Sequence, residues 1–330
     1  MSAVRWMTAG AAAVAWAVAW TVASAQEVPR TPWGDPDLRG TYTSDNSIGV
    51  PFERPAQFGD RAELTDEEYS AKVNANDEQI AKDQNPLPES EFSEDDPSAI
   101  NASRHWLERP DVPSRATSLV VDPPNGRLPE LTPAGQQRLA DRRSGRGRGL
   151  PASYTDFSNY DRCLTRGLVG SIVPVIYGNG TQVVQAPGVV VIRNEMIHEA
   201  RVIPLDGGAH AGAGVKMWMG DSRGRFEGDT LVIETTNFTD RTGLGGNGNG
   251  AVHSETLTLV ERLRRVDADT LRYEFTVNDP ETYTQPWTAA FNLDSRPGYE
   301  IYEYACHEGN YGLANMLSAA RAEERAAAAK

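Results

Sequence analysis

Cysteine and histidine are scarce in this chain, two and five in 330 residues. Two cysteines allow one disulfide and no more. The histidines make no HxH or HExxH spacing, so His198, His210, His253 and His307 carry no metal-site signature, and no metal is expected. A GxSxG nucleophile elbow is missing, as are phosphate-cradling loops; "GLGGNGNG" (243–250) lacks the strand-to-helix setting of a dinucleotide fingerprint. These absences exclude the common nucleophile and nucleotide chemistries, and no cofactor is expected. Basic charge is also short, with a formal net charge of -14. Nucleic-acid binding, which is driven by Lys and Arg neutralising phosphates, is therefore not expected, nor is an anionic membrane surface. After residue 25 no apolar run is long enough to span a bilayer, and no fixed-period repeat occurs.

What is present begins with "MSAVRWMTAGAAAVAWAVAWTVASAQ". One arginine, a small apolar run and Ala23-Ser24-Ala25 predict a secretory signal peptide over 1–25, cleaved before Gln26. A periplasmic or secreted protein without a membrane anchor is the expectation. In such an oxidising compartment Cys163 and Cys306 are expected to pair, with two free thiols or a thiol-bound metal as alternatives.

Residues 26–150 form a mixed N-terminal segment. A short strand is expected around Leu38 to Thr43. "LTDEEYSAKVNANDEQIAKD" predicts a helix capped by Thr65, with Glu68 closing a capping box. Acidic, proline-broken sequence follows it, without EF-hand spacing. "LPELTPAGQQRLADRR" predicts a second helix, with Thr132 as N-cap and Pro133 at its first position. "SGRGRG" then reads as a basic connector.

From about Tyr177 the period becomes two. "TQVVQAPGVVVIRNEMIHEARVIPLDG" predicts two strands parted by Pro187-Gly188. "GDTLVIETTNF", "HSETLTLVERLRRV", "DTLRYEFTVND", "WTAAFNL" and "YEIYEYAC" predict more. Leu271, Tyr273, Phe275 and Val277 share one face, and Arg272, Glu274, Thr276 and Asn278 the other. Strands in series with no helix between them predict a mainly β fold, an antiparallel meander closing into a barrel or sandwich with short N-terminal helices. The core is assigned to 151–312 and a helical tail to 313–330.

Three clusters are candidates for chemistry. In "RNEMIHEAR", read as an unbulged strand, Asn194, Met196 and His198 share one face, and Glu195 lies on the other. In "GDSRGRFEGDTLV", Asp221, Arg223 and Arg225 offer guanidinium forks for an anionic group. In "YEYACHEGNYG", Tyr304, His307 and Glu308 surround Cys306, which would hold His307 in place. His198 and His307 are the candidate acid and base, Glu195 and Glu308 their orienting carboxylates. Asn194, Met196, Asp221, Arg223, Arg225 and Tyr304 are candidates for substrate contact. These choices suit hydratase, isomerase or lyase chemistry on a small organic molecule in a β-barrel pocket. The alternatives are non-catalytic binding of a hydrophobic small molecule and a structural role in the cell envelope. The oligomeric state is left open.

The blocks "WGDPDLRGTY", "SLVVDPPNGRLPELTPAG", "DRCL", "NEMIHEARVIPLDG", "GDSRGRFEGDTLVIETTNF", "RVDADTLRYEFTVNDPETY" and "YEYACHEGNYG" resemble, in this order, those of a large group of secreted bacterial proteins. Tyr42 and Phe226 stand where that group is associated with tryptophan. The resemblance implies export and one shared architecture, and it brings no reaction with it. "DLRGTY", with glycine two residues before an aromatic, is also similar to the first strand of lipocalin-like barrels; this concerns fold alone.

Overall fold

Alternation fixes the barrel wall. In β9 (Thr270–Asn278), Leu271, Tyr273, Phe275 and Val277 are buried, while Arg272, Glu274 and Thr276 are only half-buried. This is the period-two pattern of a strand with one face on a core. The computed structural model describes residues 28–84, 107–142, 150–248 and 250–329. The expected signal peptide, the acidic stretch after the first helix and the "SGRGRG" connector lie outside them.

Ten strands form one antiparallel sheet. In chain order they are β1 (Gly40–Thr43), β2 (Val120–Asp122), β3 (Thr181–Ala186), β4 (Val189–Asn194), β5 (Ala200–Pro204), β6 (Asp221–Glu227), β7 (Thr230–Thr236), β8 (Thr258–Arg265), β9 and β10 (Trp287–Ser295). The lateral order is β5-β4-β3-β1-β10-β9-β8-β7-β6, with β2 added on β10. The barrel nearly closes between β5 and β6. There a Cβ on Gly224 would come within 2.7 Å of Leu205 and 2.8 Å of Ile203, so only glycine lets the two strands approach this closely.

The centre of the barrel is packed with side chains. Tyr273 lies against Phe275 and Phe291 with ring centroids 6.0 and 5.4 Å apart. Trp287 meets Phe52, Phe275 and Tyr283 at 5.8 Å each. Burial of such rings is the main driving force for closure, at roughly 25 cal/mol per Å2 of apolar area.

The register gives the barrel two different ends. β3–β4, β6–β7 and β8–β9 are joined by tight hairpins at one end, the first two through Gly188 and Gly228 in the left-handed region. At that end Tyr42 donates its hydroxyl to the carbonyl of Leu38, 3.0 Å away. A Cβ on Gly40 would fall 2.9 Å from that same hydroxyl, which accounts for the glycine of "DLRGTY". The other end receives the C-termini of β1, β4, β7 and β9 and most of the long connections, while 205–220 starts beside Gly188 at the hairpin end and runs to the start of β6.

Three α-helices occur among the described residues: α1 (Asp66–Gln84), α2 (Pro133–Asp141) and α3 (Gly312–Ala328). The expected caps form. Thr65 and Glu68 exchange both capping-box bonds, at 2.9 and 3.2 Å, and Thr132 Oγ accepts from the amide of Gly135 at 3.0 Å. None of these helices is long and apolar enough to cross a membrane.

Two strand expectations are corrected. "RNEMIHEAR" is not one strand: β4 stops at Asn194, a 3-10 turn spans Met196–His198, and β5 begins at Ala200. The region read as two strands therefore holds three. Ile197 and His198 take φ of 59° and 42°, so the chain reverses and the imidazole leaves the face shared by Asn194 and Met196. "YEIYEYAC" forms no strand either. Residues 301–305 are irregular, and Cys306 opens a turn.

Candidate active end of the barrel

The expected disulfide is formed, with Cys163 and Cys306 Cα atoms 5.6 Å apart across 143 residues of sequence. It ties the C-terminal segment to the loops over the open end of the barrel. Around it Arg166, almost wholly buried, lies over the rings of Tyr160 and Tyr177 at 5.5 and 5.0 Å. It donates from Nη1 to the carbonyl of Tyr177 at 2.8 Å. The hydroxyls of Tyr177, Tyr160 and Tyr304 follow one another at 2.8 and 3.4 Å. Burial lowers the Arg166 pKa and raises that of Tyr160.

Ionisable groups continue below this layer. Arg201 and Glu261 form a bidentate pair at 2.6 and 2.7 Å, with side chains 4% and 0% exposed, and Tyr273 donates its hydroxyl to the same carboxylate at 2.7 Å. Glu199, at the start of β5, accepts from Thr165 at 3.2 Å. Burial pushes it up to about 7, against the opposing pull of Thr165 and Arg201. Burial and the neighbouring Asp45 carboxyl also push Glu108 well above the usual carboxylate range.

The residues singled out from sequence divide sharply. Asn194 and Met196 are buried; Asn194 accepts from Thr181 at 3.3 Å, and the Met196 sulfur fills the space beside Gly178. His198 is exposed, with Nδ1 3.0 Å from the carbonyl of Tyr304. His307 is exposed too, so neither imidazole projects into the barrel, and the disulfide does not aim His307 inward. Glu195 accepts from the hydroxyl of Tyr299 at 2.7 Å. Glu308 and Tyr304 border an open cleft of about 270 Å3 near the disulfide. Arg223 and Arg225 are not free to clamp an anion. Arg223 pairs with Asp221 at 2.9 Å, and Arg225 with Glu227 at 2.6 Å. Asp221 also faces His210 at 3.1 Å. Among the described residues no three His, Cys, Asp or Glu side chains converge as metal ligands would.

A site that the sequence did not reveal lies at the same end. It is a cavity of about 370 Å3 bordered by Arg142, Arg162, Arg241, Tyr154, Phe157 and Trp218. Each wall has a local cause. Tyr154–Asp156 is a 3-10 turn closed by a capping box from Ser153 and Asp156. Asn159 donates to the carbonyl of Arg241 at 2.6 Å, joining that loop to the end of β7. Arg142 follows α2 directly and donates to the carbonyls of Thr242 and Gly250. Met217 bonds across to Asn237 and Thr239, which sets Trp218 beside Arg241 in the lining.

A larger groove of about 460 Å3 lies between α1 and the β9–β10 wall, but its charges are already matched. Arg115 meets Asp66 at 2.7 Å, Arg272 meets Glu274 at 3.4 Å, and Asp294 accepts from Asn46 at 2.8 Å. The smaller cavity has no carboxylate in its lining, and this sets it apart. Comparison of the chain with family models, with curated proteins and with solved structures gave no match.

Proposed function

We propose that the protein is an exported binding protein for a small molecule, seated at the loop-bearing end of the barrel. The observation that carries this reading is the 370 Å3 cavity walled by Tyr154, Phe157 and Trp218 with three arginines. Its volume falls in the range of small-molecule sites; its lining is mostly polar, with the rings of Tyr154, Phe157 and Trp218 as its apolar part. Export is supported by the signal-like N-terminus and by the disulfide, which persists in oxidising compartments.

Binding fits the geometry better than acid–base turnover. The two histidines expected to act as acid and base face solvent, and the barrel centre is filled by rings. Glu199 has a pKa suited to proton transfer, yet it does not border the cavity. A ligand here would be held by loops on a rigid wall, the arrangement in which loops most often carry recognition.

Native mass spectrometry of protein purified from its own host tests the reading. A stoichiometric adduct is expected on the wild type and not on Thr155→Trp, which fills the cavity from its exposed rim. A wild type with no adduct, whose melting temperature no compound in a metabolite library raises, would remove it.

A further inference from the structure

We infer that the ligand is an anion, a carboxylate, sulfonate or phosphate attached to a flat apolar body, gripped by Arg162 and Arg241 against Trp218 and Tyr154. The inference rests on the binding reading above and names the ligand class.

Charge is what points to it. The chain has a net charge of -14, yet the cavity lining holds three guanidinium groups and no carboxylate. Arginines in an acidic protein ordinarily find acidic partners, as Arg223, Arg225 and Arg272 do on the barrel wall. Among the described residues Arg162 and Arg241 have no carboxylate partner. Arg162 lies over the face of Tyr154, 5.2 Å from the ring centroid.

Two carboxylates in the same loop could have met these arginines, and both are engaged elsewhere. Asp156 accepts from the amides of Ala152 and Ser153 at 2.7 and 3.0 Å. Asp161 accepts from the hydroxyl of Ser158 at 2.7 Å. The loop thus uses its acids to close its own turns and leaves its cation facing the cavity. Arg142, tied to the carbonyls of Thr242 and Gly250, forms part of the wall, and burial lowers its pKa. An anion entering between Arg162 and Arg241 would supply the missing negative charge through charge-assisted hydrogen bonds. The half-buried Trp218 and exposed Tyr154 offer ring faces to the flat body.

Fluorescence titration with two dyes of nearly the same shape tests this. Anilinonaphthalene sulfonate carries the anion, and N-phenylnaphthylamine has the same rings without it. The sulfonate is expected to bind saturably and more tightly than the neutral dye, and to weaken with added salt. Arg162→Gln and Arg241→Gln should each lower its affinity by roughly tenfold to a hundredfold, with the neutral dye unaffected. Arg225→Gln, the same charge change on the outer wall, should leave both dyes unchanged. Equal binding of the two dyes, or sulfonate binding that survives both cavity variants, overturns the ligand class. Such binding still lost in Thr155→Trp would leave the cavity itself in place as a site. Sulfonate binding that also persists in Thr155→Trp overturns the inference, and the host-purified adduct then judges the binding reading separately.

Discussion

The hairpin end and the loop end of the barrel treat charge in opposite ways. At the hairpin end, ion pairs lie at the surface, between near neighbours such as Arg225 and Glu227 and between residues far apart such as Arg30 and Asp229. Towards the loop end, Arg201 reaches Glu261 inside the barrel, sixty residues away and nearly without solvent contact, and Arg166 sits inside a cage of tyrosines. Tight turns satisfy their own backbone groups locally, and the N-terminal segment adds a few contacts from Pro36 and Leu38 to Gln185 and from Asp37 to Arg265. Long connections must be held down by contacts far apart in sequence. Those contacts bring cations and carboxyls into places where water is scarce and their chemistry changes. The difference teaches where function can sit, since the cavity whose lining holds arginines and no carboxylate lies at the loop end.

The contrast can be broken most forcefully at the buried pair. Arg201→Leu leaves the Glu261 carboxylate and its Tyr273 hydrogen bond without a counter-ion inside the barrel, at a cost of roughly 3–5 kcal/mol in chemical denaturation. Adding Glu261→Leu to that variant should restore much of the loss, because two apolar side chains need no counter-ion. A single variant as stable as the wild type would show that the loop end does not depend on its buried charges.

A smaller effect separates the ends by pH. The Glu199 carboxyl has a folded pKa raised from 4.5 to about 7. Between those values the folded chain holds the proton more tightly than the unfolded chain. This group's contribution to stability is therefore present in full below about 4.5 and is lost as pH rises towards 7. Glu199→Gln removes that loss. Relative to the wild type, the variant should gain roughly 1–3 kcal/mol between pH 5 and pH 8. A difference between the two that stays flat across this range would mean that Glu199 titrates as an exposed carboxyl does.

How much of this was legible beforehand follows the same division. Inward alternation in β9, the caps at Thr65 and Thr132, and the hairpins all rest on residues within a few positions of one another, and they form as expected. The pairing of Cys163 with Cys306 was also legible, because only two cysteines exist. The turn at Met196–His198 was not, since "RNEMIHEAR" alternates well enough to pass for a strand, and nothing local demands positive φ from Ile197. The buried pair left a trace that alternation could have exposed. Glu261 occupies an inward position between Leu259 and Leu263, and Arg201 lies two residues before the inward Ile203. The arginine cavity left none. Arg142, Arg162 and Arg241 come together only because an asparagine, a capping box and a cross-loop bridge fold three separate connections over one barrel mouth.

The smallest expected effect tests the hairpin end directly. Arg225 and Glu227 stand two residues apart on the outer face of β6, half in water, and Glu227 is shared with Arg262 at 3.0 Å. Water and salt screen such a pair, and holding long side chains in one geometry costs rotamer entropy, so little net stabilisation remains. Glu227 in any case keeps a second arginine when the first is removed. Arg225→Ala should therefore leave the urea midpoint where it is, at low and at high salt alike. A clear drop, above all one that salt abolishes, would mean that the exposed charges of the hairpin end act as a stabilising network, and the contrast between the two ends would then be one of degree rather than kind.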